Sequence, residues 1–233
     1  MKRFLLAGAA LLALTAAQPT LAADAPVYKG PPPVAAALFN WSGFYIGAHV
    51  GGGWGTKDWV ALGFGALGSH NISGFLGGGQ IGFNYQTGAW VFGVEGDFSW
   101  TNLKGEHVDA IFGGNNITEV AWLGTITGRL GYAWDRTLLY VKGGGAWVRD
   151  NYTITAGGVY FAGADATKAG WTVGTGLEYA LAPNWSAKIE YNYLDFGNHT
   201  VRFVTGGGGS FLREVDQYIH VVKVGINYRF GSY

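Results

Sequence analysis

Strict alternation of apolar and polar residues is the feature that most constrains the fold of this chain. In residues 185–194, Trp185 and Ile189 share one parity, whereas Lys188 and Glu190 share the other. A period of two places these sets on opposite faces of a β-strand. The same pattern recurs in eight segments, which we predict as strands: 44–53, 74–85, 90–100, 122–134, 138–152, 171–181, 185–194 and 218–230.

The connections between these strands alternate strictly between short and long. The short ones contain turn-forming residues, such as Thr87-Gly88 and Pro183-Asn184. Short turns on one side and long loops on the other, with an even strand number, are typical of outer-membrane barrels. The sequence therefore predicts an all-β fold, an eight-stranded antiparallel up-and-down transmembrane β-barrel. Its four long outer loops are predicted near residues 56–73, 101–117, 153–168 and 199–214.

Charge is confined to one face of the predicted strands, and we place this face inside the barrel. It carries four acids and five bases, which predicts an ion-pair network because buried charges need partners. These residues are Glu95, Asp97, Arg129, Lys142, Glu178, Lys188, Glu190, Lys223 and Arg229. The alternative for this face is a charged channel for small solutes.

The opposite face is almost uncharged and carries aromatic residues near the strand ends. Tryptophan and tyrosine concentrate at the membrane–water interface, so these residues are predicted to contact lipid. They are Trp90, Trp100, Trp122, Trp134, Trp171, Trp185, Tyr193, Tyr218 and Tyr228. A soluble carrier with this face inward would leave nine charges as its main solvent-facing surface, which is too few for solubility.

Composition excludes several other classes of protein. Charged residues are 13% of the chain, and 15 basic residues balance 15 acidic ones. The balance argues against nucleic-acid binding, and the 16% aromatic content argues against disorder. Cysteine is absent, which excludes disulfides and thiol catalysis. The five histidines have no metal-ligand spacing. We therefore predict no metal, no cofactor and no catalytic residues.

The first residues have the order of a secretory signal peptide. Basic Lys2 and Arg3 precede an apolar run over residues 4–14, and small residues around Ala22 and Ala23 suit cleavage after either. The run is shorter than the roughly 20 residues that a spanning helix needs. The predicted domains are a signal peptide at 1–22, a proline-rich periplasmic tail at 23–40 and the barrel at 41–233.

Four motifs carry a family resemblance that covers residues 41–230. They are Trp41-Ser42-Gly43-Phe44-Tyr45-Ile46-Gly47, Gly77-Gly78-Gly79-Gln80-Ile81-Gly82-Phe83-Asn84-Tyr85, Thr127-Gly128-Arg129-Leu130-Gly131-Tyr132-Ala133 and Val224-Gly225-Ile226-Asn227-Tyr228-Arg229-Phe230. The chain resembles the small outer-membrane β-barrel (porin-like) proteins of Gram-negative bacteria, which include the OmpA transmembrane domain and OmpX. The resemblance implies export through the Sec pathway, periplasmic chaperones and a barrel-assembly machinery that reads a terminal aromatic residue. The chain continues past Phe230, so either Phe230 or Tyr233 could serve.

Three functions are compatible with such a barrel, located in the cell outer membrane among lipid and lipopolysaccharide. We favour a structural, envelope-integrity role for a monomer with a lumen plugged by ion pairs. A narrow passive porin and a loop-mediated receptor or adhesin are the alternatives. The third would use apolar loop residues, which are Trp59, Phe64, Phe112, Phe161 and Phe211. An enzyme is not expected, because residues 63–68 match a dinucleotide pattern without a strand–helix unit and residues 106–109 lack a placed nucleophile.

Overall fold

Eight antiparallel strands form a closed barrel with up-and-down order, as the alternation predicts. The computed structural model describes residues 39–61, 65–108 and 114–231. The predicted signal peptide, most of the predicted tail, Phe64, Phe112 and Tyr233 lie outside these residues. The strands are β1 (Gly43–Ala61), β2 (Gly65–Thr87), β3 (Trp90–Val108), β4 (Asn115–Trp134), β5 (Thr137–Ala156), β6 (Val159–Ala180), β7 (Trp185–Thr205) and β8 (Ser210–Arg229).

Closure comes from pairing between β1 and β8, which runs from Tyr45 opposite Arg229 to Ala61 opposite Arg213. A bilayer offers no water to satisfy an open sheet edge, so closure is required of strands that cross it. No helix in the described part of the chain has the length and hydropathy of a membrane span.

The strands are longer than the alternation predicts, because the four long connections are themselves mostly paired strand. Residues 56–61 of β1 continue the ladder with β2, and residues 148–156 of β5 continue the ladder with β6. The sequence predicts these residues as loop or as strand end because their outer faces are polar. A polar outer face is what a strand shows once it has left the lipid.

The apolar face of each strand points outward, and two aromatic belts mark the membrane. Trp90 pairs with Tyr132 near the short turns, and Trp100 pairs with Trp122 towards the outer side. The stretch of β3 from Trp90 to Trp100 spans roughly 33 Å along the strand, or about 25 Å across a bilayer at a tilt of about 40°. This height matches the apolar band of an outer-membrane barrel. We call the two rows the inner belt and the outer belt.

Beyond the outer belt the barrel continues as an extramembrane extension. On β5, nine residues follow Trp147, up to the strand end at Ala156, which adds roughly 23 Å at the same tilt. The interior of the extension contains an aromatic cluster with Trp59, Tyr152 and Phe203, all at most 2% exposed. The outer half of the protein is therefore a folded part of the barrel.

The N-terminal residues close the inner mouth of the barrel. Trp41 is fully buried against Val91, Leu138 and Tyr140, with Phe39 packed beside it. The backbone nitrogen of Trp41 donates to Gln86 Oε1 at 2.6 Å. We call residues 39–41 the N-terminal cap.

Candidate functional site

The lumen within the membrane contains a layer of eight charged side chains. Each is at most 8% exposed, although it lies inside an otherwise apolar bilayer. The eight are four acids and four bases: Glu95, Asp97, Glu178, Glu190, Arg129, Lys142, Lys188 and Lys223. We call this set the ion-pair layer, and its formal charges cancel.

Glu95 on β3 is the centre of the layer. Its carboxylate lies 2.8 Å from Lys142 Nζ, 3.2 Å from Lys188 Nζ and 3.6 Å from Arg129 Nη1. Tyr45 donates its hydroxyl to Glu95 Oε2 at 2.8 Å. One carboxylate therefore joins β1, β3, β4, β5 and β7 across the barrel.

Glu190 on β7 is the second hub of the ion-pair layer. It lies 2.8 Å from Lys142 Nζ and 3.4 Å from the ammonium groups of both Lys188 and Lys223. Tyr140 donates its hydroxyl to Glu190 Oε2 at 2.8 Å. Lys142 and Lys188 thus each bridge Glu95 and Glu190, so the pairs form one network.

Asp97 and Glu178 complete the layer on opposite sides. Lys223 Nζ donates to Asp97 Oδ2 at 2.7 Å. Arg129 Nη2 donates to Glu178 Oε2 at 2.9 Å, and Ser186 and Asn227 donate to its other oxygen. Every carboxylate of the layer therefore contacts at least one cation.

Arg229 lies apart from the eight residues of the layer, although the sequence predicts it in the same network. Its guanidinium carbon lies 4.4 Å from the centre of the Phe39 ring and 4.6 Å from that of Trp41. It donates to the backbone oxygen of Asn40 at 2.9 Å. Among the described residues, no carboxylate lies within salt-bridge distance of Arg229. It contacts the N-terminal cap because β8 carries it past Lys223 towards the inner mouth.

An apolar layer crosses the lumen on the outer side of the ion-pair layer. Its members are inward-facing and at most 5% exposed: Ile72, Leu76, Leu103, Val120, Leu123, Ala146, Val148, Leu194, Phe196, Ile219 and Val221. A cavity of about 10 Å³ lies between this layer and Asp97, Ser99 and Lys223, which is about the smallest volume that holds one water molecule. Charged solutes would have to cross both layers.

A second buried polar group lies beyond the outer belt. Lys57 Nζ is 2.8 Å and Lys168 Nζ is 3.4 Å from the Asp150 carboxylate, and Tyr152 donates its hydroxyl to the same group at 2.8 Å. Burial lowers the pKa of Lys57 to about 7, against the opposing effect of Asp150. Burial raises the pKa of Asp150, but the two ammonium groups outweigh it, and the pKa is below its ordinary value.

Two histidines contact each other in the same extension. Nδ1 of His70 lies 2.8 Å from Nδ1 of His107, so one of the two nitrogens must carry the proton. Burial lowers the pKa of His70 to about 4, helped by His107 and Lys57. No group of three or more metal-ligating side chains is found in the described residues.

The nine aromatic residues predicted at the interface lie on the outward face. Trp90, Trp134, Trp185 and Tyr228 lie in the inner belt; Trp100, Trp122, Trp171, Tyr193 and Tyr218 lie in the outer belt. Trp100 is 67% exposed. His220, on the same face, stacks on Trp54 at 5.6 Å. Phe230 is outward and 53% exposed, and its backbone nitrogen donates to Phe44.

Several interior residues are not among those predicted from the sequence. Tyr45 and Tyr140 face inward, although tyrosine is predicted only as an interface residue. His49 also faces inward and binds Gln80 and Ser99 at 2.6 and 2.8 Å. The sequence does contain a signal for such residues, because residues of equal parity on one strand face the same side. Tyr140 has the parity of Lys142 and should therefore face the lumen with it. The same parity places Asp150 inward.

Strand number, a charge-paired lumen, two aromatic belts and a lipid-facing apolar surface define an outer-membrane β-barrel protein. The profile of the family described as "Outer membrane protein beta-barrel domain" matches residues 7–230. The chain belongs to this family and is located in the outer membrane of a Gram-negative cell.

Two named relatives align with most of this chain. The 31 kDa outer-membrane immunogenic protein of Brucella melitensis is 35% identical over 99% of this chain and 100% of its own length. The 22 kDa outer membrane protein of Rhizobium leguminosarum bv. viciae is 31% identical over 82% of this chain and 79% of its own. These are named as outer-membrane proteins.

Solved structures show the same fold at low sequence identity. OprG of Pseudomonas aeruginosa has a TM-score of 0.54 at 11% identity, covering 81% of this chain and 97% of its own. The outer membrane protease OmpT of Escherichia coli has a TM-score of 0.52 at 11% identity, with the same coverage. Likeness at this identity concerns the fold alone.

Proposed function

We propose that this protein is a non-conducting structural barrel that stabilises the outer membrane and holds a folded extension outside it. The observation that carries the proposal is the apolar layer, which lies across the lumen in series with the ion-pair layer. An ion entering this layer would lose its hydration without gaining a polar partner. The N-terminal cap adds a third barrier at the inner mouth.

Single-channel conductance of the refolded protein in planar bilayers tests this proposal. We expect no discrete conductance steps from the natural sequence. A triple variant, Leu76→Ala, Leu103→Ala and Leu123→Ala, removes bulk from the apolar layer and should increase leak events. Leu130→Ala changes a lipid-facing residue that is 41% exposed and serves as the matched control. Stable, ion-selective steps from the natural sequence would show that the passive-porin alternative is correct.

A second candidate function is surface recognition through the extension. The name of the Brucella relatives, "outer-membrane immunogenic protein", supports a part that is accessible from outside the cell. Val159, Tyr160 and Phe161 are 70%, 57% and 49% exposed at one hairpin end. Trp59, which the sequence predicts in such a role, is 1% exposed and packs in the interior. Loss of binding to whole cells after replacement of residues 159–161 would support recognition.

The remaining proposals concern lipid contacts, biogenesis, oligomeric state and processing. Lipid and lipopolysaccharide contact the belts, and we infer that chaperones and the assembly machinery meet the barrel during biogenesis. We favour Phe230 as the recognition signal because it points outward and is 53% exposed; Tyr233 lies outside the described residues. We further propose a monomer without enzymatic activity, with residues 1–22 removed as a signal peptide. The proposed periplasmic tail then covers residues 23–38, because Phe39 and Asn40 belong to the N-terminal cap.

A further inference from the structure

The barrel wall contains a stretch in which β6 and β7 are not paired with each other. Pairing holds at Ala162–Gly163 opposite Thr205–Val204 and resumes at Trp171 opposite Asp195. Residues 164–170 of β6 and 196–203 of β7 lie between these points; we call them the β6–β7 window. Other ladders of the described strands also contain interruptions after which the pairing resumes. Each of these leaves at most two consecutive residues of a strand unpaired.

Each edge of the window is held firmly on its other side. Residues 164–170 of β6 pair with β5, from Ala164 opposite Tyr152 to Gly170 opposite Ala146. Residues 197–203 of β7 pair with β8. The two edges are therefore formed strands whose remaining N–H and C=O groups point into the window, and such groups are templates for a further strand.

On the inner side of the window, the two alanines of β6 are the less buried side chains. Ala164 and Ala166 point inward but are only half-buried, whereas Tyr152 and Ile154 on the neighbouring strand are 2% and 3% exposed. His199, on the opposite edge, has a buried Nδ1 that makes no hydrogen bond to any described residue. Behind these residues lies the aromatic cluster of Trp59, Tyr152 and Phe203.

We propose that the β6–β7 window binds a polypeptide segment in extended conformation, supplied by another protein at the cell surface. The groups that face the window are backbone donors and acceptors outside any ladder, and they have the repeat of an extended chain, which a peptide matches along its length. Ala164 and Ala166 are small and half-buried, so they present little side-chain bulk to a segment that pairs along this edge. The window begins beyond Trp171 of the outer belt, above the hydrocarbon, so an acyl chain is not its ligand.

A fluorescent peptide with the chain's own sequence at 195–204 is the probe, because this sequence has the register to pair with the free edge of β6. Binding to the refolded, micelle-bound protein is measured by anisotropy. The control peptide is methylated on alternate backbone nitrogens and has the same side chains but fewer donors. We expect it to bind at least about tenfold more weakly, since hydrogen bonds to the edge provide the affinity.

A disulfide across the window supplies a reversible block. The register at Gly163 and Val204, continued inward, places Ala166 opposite Val201, so Ala166→Cys with Val201→Cys should close the window on oxidation. Ala162→Cys with Thr205→Cys cross-links a pair that is already formed and is the matched control. The chain has no other cysteine. We expect oxidation to abolish peptide binding in the first variant, reduction to restore it, and the second variant to bind in both states.

Hydrogen–deuterium exchange of the free protein tests the window independently of peptide binding. Amides of the window that point away from β5 and β8 should exchange faster than those of the flanking pairs, and the peptide should protect them. The proposal would be overturned if the methylated peptide bound as tightly as the unmethylated one, or if the oxidised Ala166→Cys, Val201→Cys variant bound the peptide as tightly as its reduced form. It would also be overturned if the window amides of the free protein exchanged as slowly as those of the flanking pairs. Protection by lipopolysaccharide vesicles but not by the peptide would also overturn it, in favour of a glycan site.

Discussion

Replacing Glu95 with glutamine tests whether the ion-pair layer stabilises the barrel. The substitution keeps the side-chain volume but removes the negative charge that faces Lys142, Lys188 and Arg129 at 2.8, 3.2 and 3.6 Å. Four cations then face three carboxylates, and one buried positive charge lacks a counter-charge. Breaking a buried pair in this way costs about 3–5 kcal/mol.

Urea unfolding of the refolded barrel, followed by tryptophan fluorescence, measures this loss. With a slope of about 2 kcal/mol/M, the expected loss lowers the midpoint by roughly 2 M. Glu119→Gln is the matched control, because Glu119 pairs with Lys104 at 3.1 Å on an exposed surface. An exposed pair contributes at most about 1 kcal/mol, which corresponds to roughly 0.5 M.

A midpoint for Glu95→Gln that equals the Glu119→Gln midpoint would refute the structural role of the layer. If Glu95→Gln does not refold, Tyr45→Phe gives a milder test, since it removes only the hydroxyl that donates to Glu95 at 2.8 Å. A hydrogen bond to a charged group contributes about 1.5–3 kcal/mol. An unchanged urea midpoint for Tyr45→Phe would also refute the structural role of the ion-pair layer.

Three further predictions concern the cap and the extension. Trp41→Ala should destabilise the barrel by about 3–5 kcal/mol, because Trp41 is fully buried; a urea midpoint equal to the natural one would contradict a cap. The pKa of His70 is lowered from 6.5 to about 4, so between these pH values the unfolded chain binds more protons than the folded chain. The free energy of unfolding should therefore fall as the pH drops from 6.5 to 4. His70→Phe should flatten that fall in urea midpoints, and an unchanged slope would contradict the assignment. The pKa of Lys57 is lowered from 10.5 to about 7, so stability should rise with pH between 7 and 10.5, and Lys57→Met should remove the rise in the same assay.

The sequence predicts the membrane part of this fold well, because lipid imposes a strict period of two. Trp90 and Trp100, for example, mark both belts of β3 through their parity and aromatic character alone. The extension is harder to predict, since water contacts its outer face and the apolar parity moves inward. Trp59 shows the effect: it follows the inward parity of β1, yet its position among polar residues and glycines predicts a loop.

The interior is only partly predictable for a related reason. Parity places Glu95 and Lys142 in the lumen, but it does not show which acid meets which base. Their pairing depends on strand stagger around the closed barrel, and a single strand pattern does not contain that information. The apolar layer is not predicted, because Leu103 and Ile219 lie at positions that the sequence assigns to loop or to strand ends.

The N-terminal cap has a consequence for how the molecule assembles. Its tryptophan precedes the first strand, yet it is enclosed by groups from the middle and the end of the chain, including Leu138 on β5 and Arg229 on β8. The surroundings of that indole are therefore complete only after β8 has brought Arg229 to the inner mouth. We therefore expect Trp41 to become buried late in folding, and a bulky fusion directly before Phe39 should leave the barrel without its cap.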